Sequence, residues 1–151
     1  MSSADLVMKS LESARLEAQI ARDWDAYQKK PKRKFLGART QEYRFARYAE
    51  DWRHKVEKVG NLNYPEEAKR EKIYGSLQLT VIIKADGSIR SIEVTRPSGQ
   101  KVLDEAAVRI VRLAAPYAPF PEDIRRDTDE LGIVRTWSFT RADELGTSAS
   151  E

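Results

Sequence analysis

Side chains that could perform catalysis or bind a metal ion are sparse in this sequence of 151 residues. It contains no cysteine, which excludes a thiolate nucleophile, a thiolate metal site and a disulfide framework. His54 is the one histidine, and its neighbours Arg53 and Lys55 are not the partners that a metal site or an acid–base pair requires. We therefore expect His54 to lie on the surface, and we expect no metal and no other cofactor.

Asp104 and Glu105 form a pair of adjacent carboxylates, the residue type that general acid–base catalysis often uses. Both fall in the first turns of a predicted helix, where the helix dipole favours negative charge. Successive residues of a helix point in different directions, so the two carboxylates cannot converge on one atom of a substrate. We interpret the pair as a feature of the helix start. Because no nucleophile and base occur at a suitable spacing, we do not expect an enzyme.

Positive charge is concentrated in the basic run 29–34, where Pro31 interrupts five Lys and Arg residues. Such a run is typical of a solvated linker. The alternative is contact with anionic lipid headgroups or with nucleic acid. The net charge is only +3, because 27 Lys and Arg residues oppose 24 Asp and Glu residues, and no aromatic motif on a strand accompanies the run. Nucleic acid is therefore not an expected partner.

A β-hairpin organises the central part of the sequence. The apolar residues of 76–84 occupy alternate positions, the period of a strand with one buried face: Leu77, Leu79, Val81 and Ile83. Ile82 breaks this alternation, so the opposite face is either partly covered or carries a single exposed apolar residue. Asp86-Gly87 suits a tight turn because both residues tolerate positive φ, and 89–95 continues as the second strand.

The residues before the hairpin predict two longer helices and one short one. Residues 4–27 contain neither Gly nor Pro and carry a thin, alanine-rich apolar face, so this helix either packs on a partner helix or is loosely attached. A second helix is predicted from a cap at Thr40 to about Val59, with Gly60 as its stop. Its buried stripe comprises Phe45, Tyr48, Trp52, Val56 and Val59. A short helix follows Pro65.

The residues after the hairpin predict one helix and one returning strand. The helix spans about 101–115, with an inward stripe of Leu103, Ala106, Ala107, Ile110 and Ala114. The faces of the strand over 131–140 alternate: Ile133, Trp137 and Phe139 point inward, and Val134, Thr136, Ser138 and Thr140 point outward. Arg135 shares the inward parity, so it lies near a strand end or lays its aliphatic stem along the core. The tail over 142–151 is predicted to be frayed.

These elements predict an α+β fold, a two-layer sandwich with a helix packed on one face of a three-stranded antiparallel sheet, preceded by two helices. The crossover makes the second and last strands parallel. Placing the first strand between them, in the order 2-1-3, makes every neighbouring pair antiparallel. The last strand is then an edge with few charges to discourage further pairing. This edge could accept an extended peptide, form a homodimer or be covered by the tail.

Several short motifs follow one another in a distinctive order. They are Tyr64-Pro65, Ala68, Gly75 at the start of a strand, Asp86-Gly87, Val94, Ser98-Gly99 and the segment Val102-Leu103-Asp104-Glu105-Ala106-Ala107. Each motif alone is weak, but in this order and spacing they resemble the C-terminal domain of TonB-family energy transducers. The resemblance divides the chain into a helical lead over 1–60 with a basic linker near 29–37, a TonB-like domain over 61–141 and a flexible tail over 142–151.

The resemblance implies binding to the TonB box, a peptide segment of TonB-dependent outer-membrane transporters, which would pair with the last strand. It also implies that the segment around Tyr64-Pro65 lies against the transporter. Proton-motive energy from inner-membrane motor proteins would pass mechanically through this contact, with no catalytic group. The implied partner-binding residues are Tyr64, Pro65, Ile133, Val134, Arg135, Thr136, Trp137, Ser138, Phe139 and Thr140.

The resemblance further implies a periplasmic location, with the parent protein anchored in the inner membrane of a Gram-negative bacterium. No stretch here approaches about 18 consecutive apolar residues, as expected for a periplasmic fragment without the anchor. Two features differ from the family pattern: predicted helices replace the usual proline-rich spacer, and Glu66 and Glu67 follow Tyr64-Pro65 where familiar members often carry a basic residue. The alternative is a TolA-like structural adaptor that docks on an assembly of the cell envelope through its helical lead.

Overall fold

A computed structural model describes residues 2–37 and 42–149 of the chain, which divide into two compact units after Pro31. The first unit is helix α1, Ser3–Lys29. Ser2 caps it, because its Oγ accepts a hydrogen bond from the N–H of Asp5 and its own N–H donates to the Asp5 carboxylate, both at 3.2 Å. No residue of α1 is buried.

The second unit contains four helices and five strands in the described residues. In chain order they are β1 Arg33–Leu36, α2 Tyr43–Leu62, α3 Glu66–Glu71, β2 Gly75–Lys84, β3 Ile89–Arg96, α4 Lys101–Ala114, α5 Glu122–Arg125, β4 Glu130–Phe139 and β5 Leu145–Ala149. Thr40, the predicted cap of α2, lies outside the described residues. None of the helices in the described ranges has the length and hydropathy needed to cross a bilayer.

The centre of the sheet agrees with the predicted hairpin and crossover. β2 pairs antiparallel with β3 on one side and with β4 on the other, which is the predicted 2-1-3 order. The expectation of a three-stranded, wholly antiparallel sheet was wrong. The sheet is mixed and has five strands, because β1 pairs parallel with the first part of β4 and β5 pairs antiparallel with the rest. The fold is α+β, as predicted.

Two short strands lie in segments that the sequence predicted as a basic linker and a flexible tail. β1 contains Arg33 and Lys34, and only Leu36 of its four residues is buried, so it lacks the alternation that identifies a strand. β5 has the sequence LGTSA, whose small and polar residues carry little strand signal. Both strands form because β4 supplies backbone partners, a tertiary effect that a local pattern does not contain.

The core lies between the sheet and helices α2 and α4. The predicted inward residues of β2 and α4 are all buried, and α2 contributes Phe45, Tyr48, Trp52 and Val56, with Val59 partly buried. The Trp52 ring meets Trp137 edge-on at 6.4 Å, which joins α2 to β4. On the opposite face Ile82 is buried near Gly132, so that face is partly covered.

Gly60 was predicted to end α2, but the helix continues to Leu62. Gly60 is buried, and a Cβ at this position would overlap the side chain of Leu145 in β5 and touch Ile110 in α4. The glycine therefore allows close packing between α2, α4 and β5 rather than a change of backbone direction.

Ion pairs attach β1 to the segment that enters β4. The Asp127 carboxylate accepts hydrogen bonds from Arg44 of α2 at 2.8 and 3.0 Å and from Lys34 of β1 at 3.1 Å. The hydrogen bonds from Arg44 hold the pKa of Asp127 well below its usual range, and those from Lys34 and Thr128 act in the same direction. Glu130, a buried carboxylate in β4, pairs with Arg33 at 2.8 Å and with Arg90 of β3 at 3.2 Å. β1, which lies in the later part of the predicted linker, is thus held in place by charge.

Two glycines with positive φ offer a matched test of turn geometry. Gly87 has φ 89° and a Cβ there would overlap the backbone carbonyl of Tyr117, whereas Gly99 has φ 85° and no atom within 4 Å of a Cβ. We expect Gly99→Ala to lower the free energy of unfolding by about 1–2 kcal/mol through backbone strain alone. Gly87→Ala should cost about 1–3 kcal/mol more, because backbone must move. Urea unfolding followed by tryptophan fluorescence measures both, and equal losses would contradict this packing.

The Asp127 ion pairs predict a dependence of stability on pH. Because the pKa of Asp127 is lower in the folded chain than in the unfolded one, the unfolded state takes up the proton first as the pH falls below about 4. The stabilisation is present at neutral pH and is lost through that acidic range. Asp127→Asn should therefore be less stable than the unsubstituted chain near pH 7, with a difference that shrinks toward pH 2. Urea unfolding at several pH values tests this, and a constant difference would contradict it.

Candidate functional site

The predicted binding strand, β4, does not present a free edge. β1 pairs with its first part, from Arg33 opposite Glu130 to Leu36 opposite Ile133. β5 pairs with its second part, with Ala149 opposite Arg135 and Leu145 opposite Phe139. The expectation that this strand is an open edge was therefore wrong. Covering by the tail, one of the three alternatives for this edge, is what the structure shows.

Side chains of α2 hold the outer side of β5. The Asn61 amide donates to the Leu145 carbonyl oxygen at 3.2 Å and accepts from the Leu145 N–H at 2.8 Å. The Glu57 carboxylate accepts from the Thr147 N–H at 2.8 Å. We call Glu57 and Asn61 the α2 clamp. It binds the backbone of β5 in the way that a further strand would, so those groups of β5 cannot pair with another chain.

Arg135 completes the hold on β5 from within β4. Its Nη2 donates to the Thr147 carbonyl oxygen at 3.0 Å and its Nε donates to the Thr147 hydroxyl at 3.1 Å. Burial lowers the pKa of Arg135, and nearby Arg53 acts in the same direction, while Glu57 raises it. The side chain is half-buried, and it lies in the middle of β4 rather than near an end of the strand.

The charged groups around the α2 clamp are linked. Arg53 forms ion pairs with Glu50 and, at 2.5 Å, with Glu57, whose other carboxylate oxygen accepts from Thr147. The hydrogen bond with Glu50 raises the pKa of Arg53, and the attraction of Glu57 adds to that effect. Glu57 is therefore oriented by a cation on its own helix while it accepts the hydrogen bond from β5.

The other predicted site residues divide by strand face. Ile133, Trp137 and Phe139 are buried in the core, so their side chains cannot reach a partner. The outward residues Val134, Thr136 and Ser138 are half-buried, and Thr140 is exposed. A partner that pairs with β4 would consequently contact its backbone and outward side chains.

Tyr64 and Pro65 lie at the same end of the sheet as the last residues of β4. The Tyr64 ring meets Phe139 edge-on at 5.6 Å, and both Tyr64 and Pro65 are buried. Burial raises the pKa of the Tyr64 hydroxyl. The structure thus brings the two predicted parts of the site together, with exposed Glu66 and Glu67 beside them.

Of the residues that hold β5, Arg135 was among the predicted site residues, but the two residues of the α2 clamp were not. Glu57 and Asn61 are four residues apart, a spacing that puts them on one face of α2. The predicted end of α2 at Gly60 left Asn61 outside the helix, and the role of the pair depends on β5, which was not predicted. The missed residues Leu145 and Thr147 are the two buried positions of β5.

The sequence contains two possibilities for catalysis, the carboxylate pair at 104–105 and His54, and the structure shows the contacts of both. The Asp104 carboxylate accepts from the Ser98 N–H at 3.0 Å and from the Ser98 hydroxyl at 2.7 Å, which supports its interpretation as a helix-start residue. His54 is exposed and lies 3.2 Å from Glu50. No group of His, Asp and Glu side chains within residues 2–37 and 42–149 is arranged to hold a metal ion.

Of three comparisons with known proteins, one, with a family model, assigns the chain to a family. The solution NMR structure of the TonB C-terminal domain of Helicobacter pylori is 24% identical and covers 68% of this chain and 98% of its own, with a TM-score of 0.42. A search of curated proteins found no significant match. The sequence model of the family described as Gram-negative bacterial TonB protein C-terminal matches residues 60–141, more than half of the 151 residues. The chain therefore belongs to the TonB C-terminal family.

Proposed function

We propose that this chain is a periplasmic energy-transducing interaction domain of the TonB type, which binds the TonB box of an outer-membrane transporter along β4. The observation that carries the proposal is the pairing of β4 with an extended segment, β5, over Arg135–Phe139. A segment in this position gains backbone hydrogen bonds to β4 whatever its side chains are, which is the basis of strand addition.

The transporter peptide replaces β5 and does not extend the sheet beyond it. The outward backbone groups of Leu145 and Thr147 are already bonded to the α2 clamp and Arg135, so they have nothing to offer a sixth strand. β5 has five residues, of which only these two are buried, so little apolar area opposes its release. The exchange trades one set of backbone hydrogen bonds for another.

β1 remains in place during this exchange. Leu36 is buried, and Arg33 and Lys34 pair with Glu130 and Asp127. The peptide site is therefore the second part of β4, from Arg135 to Thr140, rather than the whole strand. Tyr64 and Pro65, next to Phe139, position the exposed segment at 66–67 beside the bound transporter.

The α2 clamp has the same role toward the peptide as toward β5. Asn61 presents both a donor and an acceptor, and Glu57 presents an acceptor, to backbone groups at fixed places. A peptide that takes the place of β5 can satisfy these groups with its own backbone. The site therefore recognises the main chain of an extended peptide. Any preference for a particular peptide sequence comes from contacts with the peptide side chains.

β1 provides the route by which force reaches the bound peptide. It is the first element of the second unit, and its parallel pairing joins it to β4 directly. A pull on the chain before Arg33, generated by inner-membrane motor proteins acting on an anchored parent protein, acts on β1 and then on β4. Mechanical energy would thereby reach the transporter without any catalytic group.

A second candidate function is the TolA-like adaptor that docks through its helical lead. α1 exposes Leu6, Val7, Met8, Leu11, Leu16, Ile20, Trp24 and Tyr27, an unusual number of large apolar residues for one helix. If the adaptor function is correct, deleting residues 4–27 abolishes capture of the envelope partner and leaves the spectrum of the second unit intact. If the transducer function is correct, this deletion leaves peptide binding to β4 unchanged.

Titration of isotope-labelled chain with transporter N-terminal peptides tests the proposed function. We expect amide shifts along Arg135–Thr140, together with a move of the β5 resonances toward those of unfolded chain. No shift at millimolar peptide, or shifts confined to α1 and the basic run, would contradict it.

Substitution of Ser148 tests whether the peptide replaces β5. Since the Thr147 N–H points to the α2 clamp, the alternation of a strand directs the Ser148 N–H toward β4. Ser148→Pro removes that donor and weakens the hold on β5 by about 1 kcal/mol. Peptide affinity should then rise about fivefold, because less energy is spent in releasing β5.

Ser148→Ala is the matched control, because it keeps the N–H and changes an exposed side chain. Its peptide affinity, measured by the same amide titration, should stay within about twofold of the unsubstituted chain. Equal affinities for Ser148→Pro and Ser148→Ala would show that β5 does not compete with the peptide.

A further inference from the structure

The opposite edge of the sheet carries a groove that the proposed function does not use. β3 pairs only with β2, and no strand of the described chain covers its other side. Next to it lies a cavity of ≈ 550 Å³ between β3 and α4, whose apolar walls include Val94, Val108 and Leu113. Val94 is the only strand residue in its lining. The cavity therefore lies beside the edge strand, where a strand added to β3 would place its inward side chains.

The regular part of this edge is short. The pairing of β3 with β2 shifts register at Arg90 and again at Thr95, so Ser91–Val94 forms the undistorted stretch between two bulges. Bulges of this kind discourage the long pairing that leads to aggregation between sheet edges. A stretch of four residues still allows the backbone hydrogen bonds of a brief strand addition.

The acidic residues at the rim of the groove have partners within the chain, and the basic residues do not have any among the described residues. Asp104 is bonded to Ser98, and Glu105 lies 3.7 Å from Lys101. Within the described residues, Arg109 and Arg112 form no ion pair and no side-chain hydrogen bond, and both are exposed. The positive charges are thus the ones available to a ligand, which favours a ligand with negative charge.

We propose that β3 and α4 form a second binding surface, which takes a short extended segment of a partner protein by strand addition to Ser91–Val94. An aliphatic side chain of that segment fills the space between Val94, Val108 and Leu113. An acidic side chain two residues away, on the same face of the added strand, pairs with Arg109 and Arg112. The apolar walls provide affinity, and the free arginines select the acidic residue.

This surface would let the domain hold two extended segments at once, on opposite edges of one sheet. The β4 site depends on release of β5, whereas the β3 site is open as it stands. Binding at β3 therefore does not require the proposed function of β4 to be correct.

Acetylated and amidated heptapeptides of the sequence Ser-Thr-Xaa-Thr-Glu-Thr-Ser, with Val, Ile, Leu or Met as Xaa, provide the probe. Blocking both ends restricts the negative charge to the Glu side chain. With isotope-labelled full chain, we expect at least one peptide to shift the amides of Ser91–Val94 and the methyl groups of Leu113. The matching peptide with Lys in place of Glu should bind about fivefold more weakly.

Two variants locate the interaction. Leu113→Asp places a charge in the apolar wall at a side chain that is already 53% exposed, so the fold should persist while the shifts disappear. The double variant Arg109→Glu and Arg112→Glu should reverse the preference, so that the Lys peptide binds better than the Glu peptide. Unchanged amide spectra elsewhere in the sheet verify that both variants are folded.

Three outcomes would overturn the proposal. The first is the absence of shifts at Ser91–Val94 with all four peptides at millimolar concentration. The second is a preference for Glu that survives the double arginine variant. The third is a concentration-dependent shift of the same residues without peptide, which would assign the groove to a second copy of the chain. Shifts at Arg135–Thr140 report on the β4 site, and Ser148→Pro alters only those, so the two sites fail independently.

Discussion

The backbone N–H and C=O groups along the outer edge of β4 need hydrogen-bond partners, and much of the structure follows from how the chain supplies them. β2 pairs with one side of β4, so the unpaired backbone groups on the other side could pair with any extended chain. β1 and β5 cover that side in succession, although they are the first and last elements described in the second unit. This covering explains the position of β1, the close approach at Gly60 and the polar contacts that the end of α2 makes.

The two covering strands are held by different forces, and this difference assigns them different roles. β1 is fixed by a buried leucine and by ion pairs to Glu130 and Asp127, which is a strong attachment at the N-terminal side. β5 is fixed by hydrogen bonds between its backbone and three side chains: Glu57 accepts, Arg135 donates, and Asn61 does both. These hydrogen bonds are to backbone groups, so they can form with almost any amino-acid sequence in that position. Under the proposed function, a transporter peptide takes over these hydrogen bonds, and β1 stays in place to transmit the force.

The sheet protects its two edges by different means. At β4 the edge is covered by strands, so a partner has to displace one of them. At β3 no strand within residues 2–37 and 42–149 covers the edge, but bulges at Arg90 and Thr95 shorten the stretch available for pairing. The first arrangement favours a partner that competes with the chain itself, and the second favours a brief contact supported by the neighbouring helix.

The central elements of the fold could be predicted because the spacing of apolar residues within each element indicates which of its faces is buried. The apolar residues of β2 alternate, and those of α4 recur at helical spacing. The buried face of each element can therefore be identified without knowing which element packs against it. β1 and β5 could not be predicted in this way. Arg33 and Lys34 read as a linker, and Gly146 and Ser148 read as a tail, until β4 is present to pair with them. Likewise, the pattern predicted Glu57 as an ordinary helix residue and left Asn61 beyond the predicted end of α2. Both bind the backbone of β5, a strand that the local pattern does not predict.

The claim that one edge of β4 serves both β5 and the partner can be tested by amide hydrogen exchange, residue by residue, in the free chain and in the chain saturated with transporter peptide. In the free chain the amide hydrogens of Gly146 and Ser148, which face β4, should be protected. With peptide bound they should exchange as in an unfolded chain, while those of Thr136 and Ser138 in β4 stay protected by their new partner. Continued protection of Gly146 and Ser148 at saturating peptide would contradict the account.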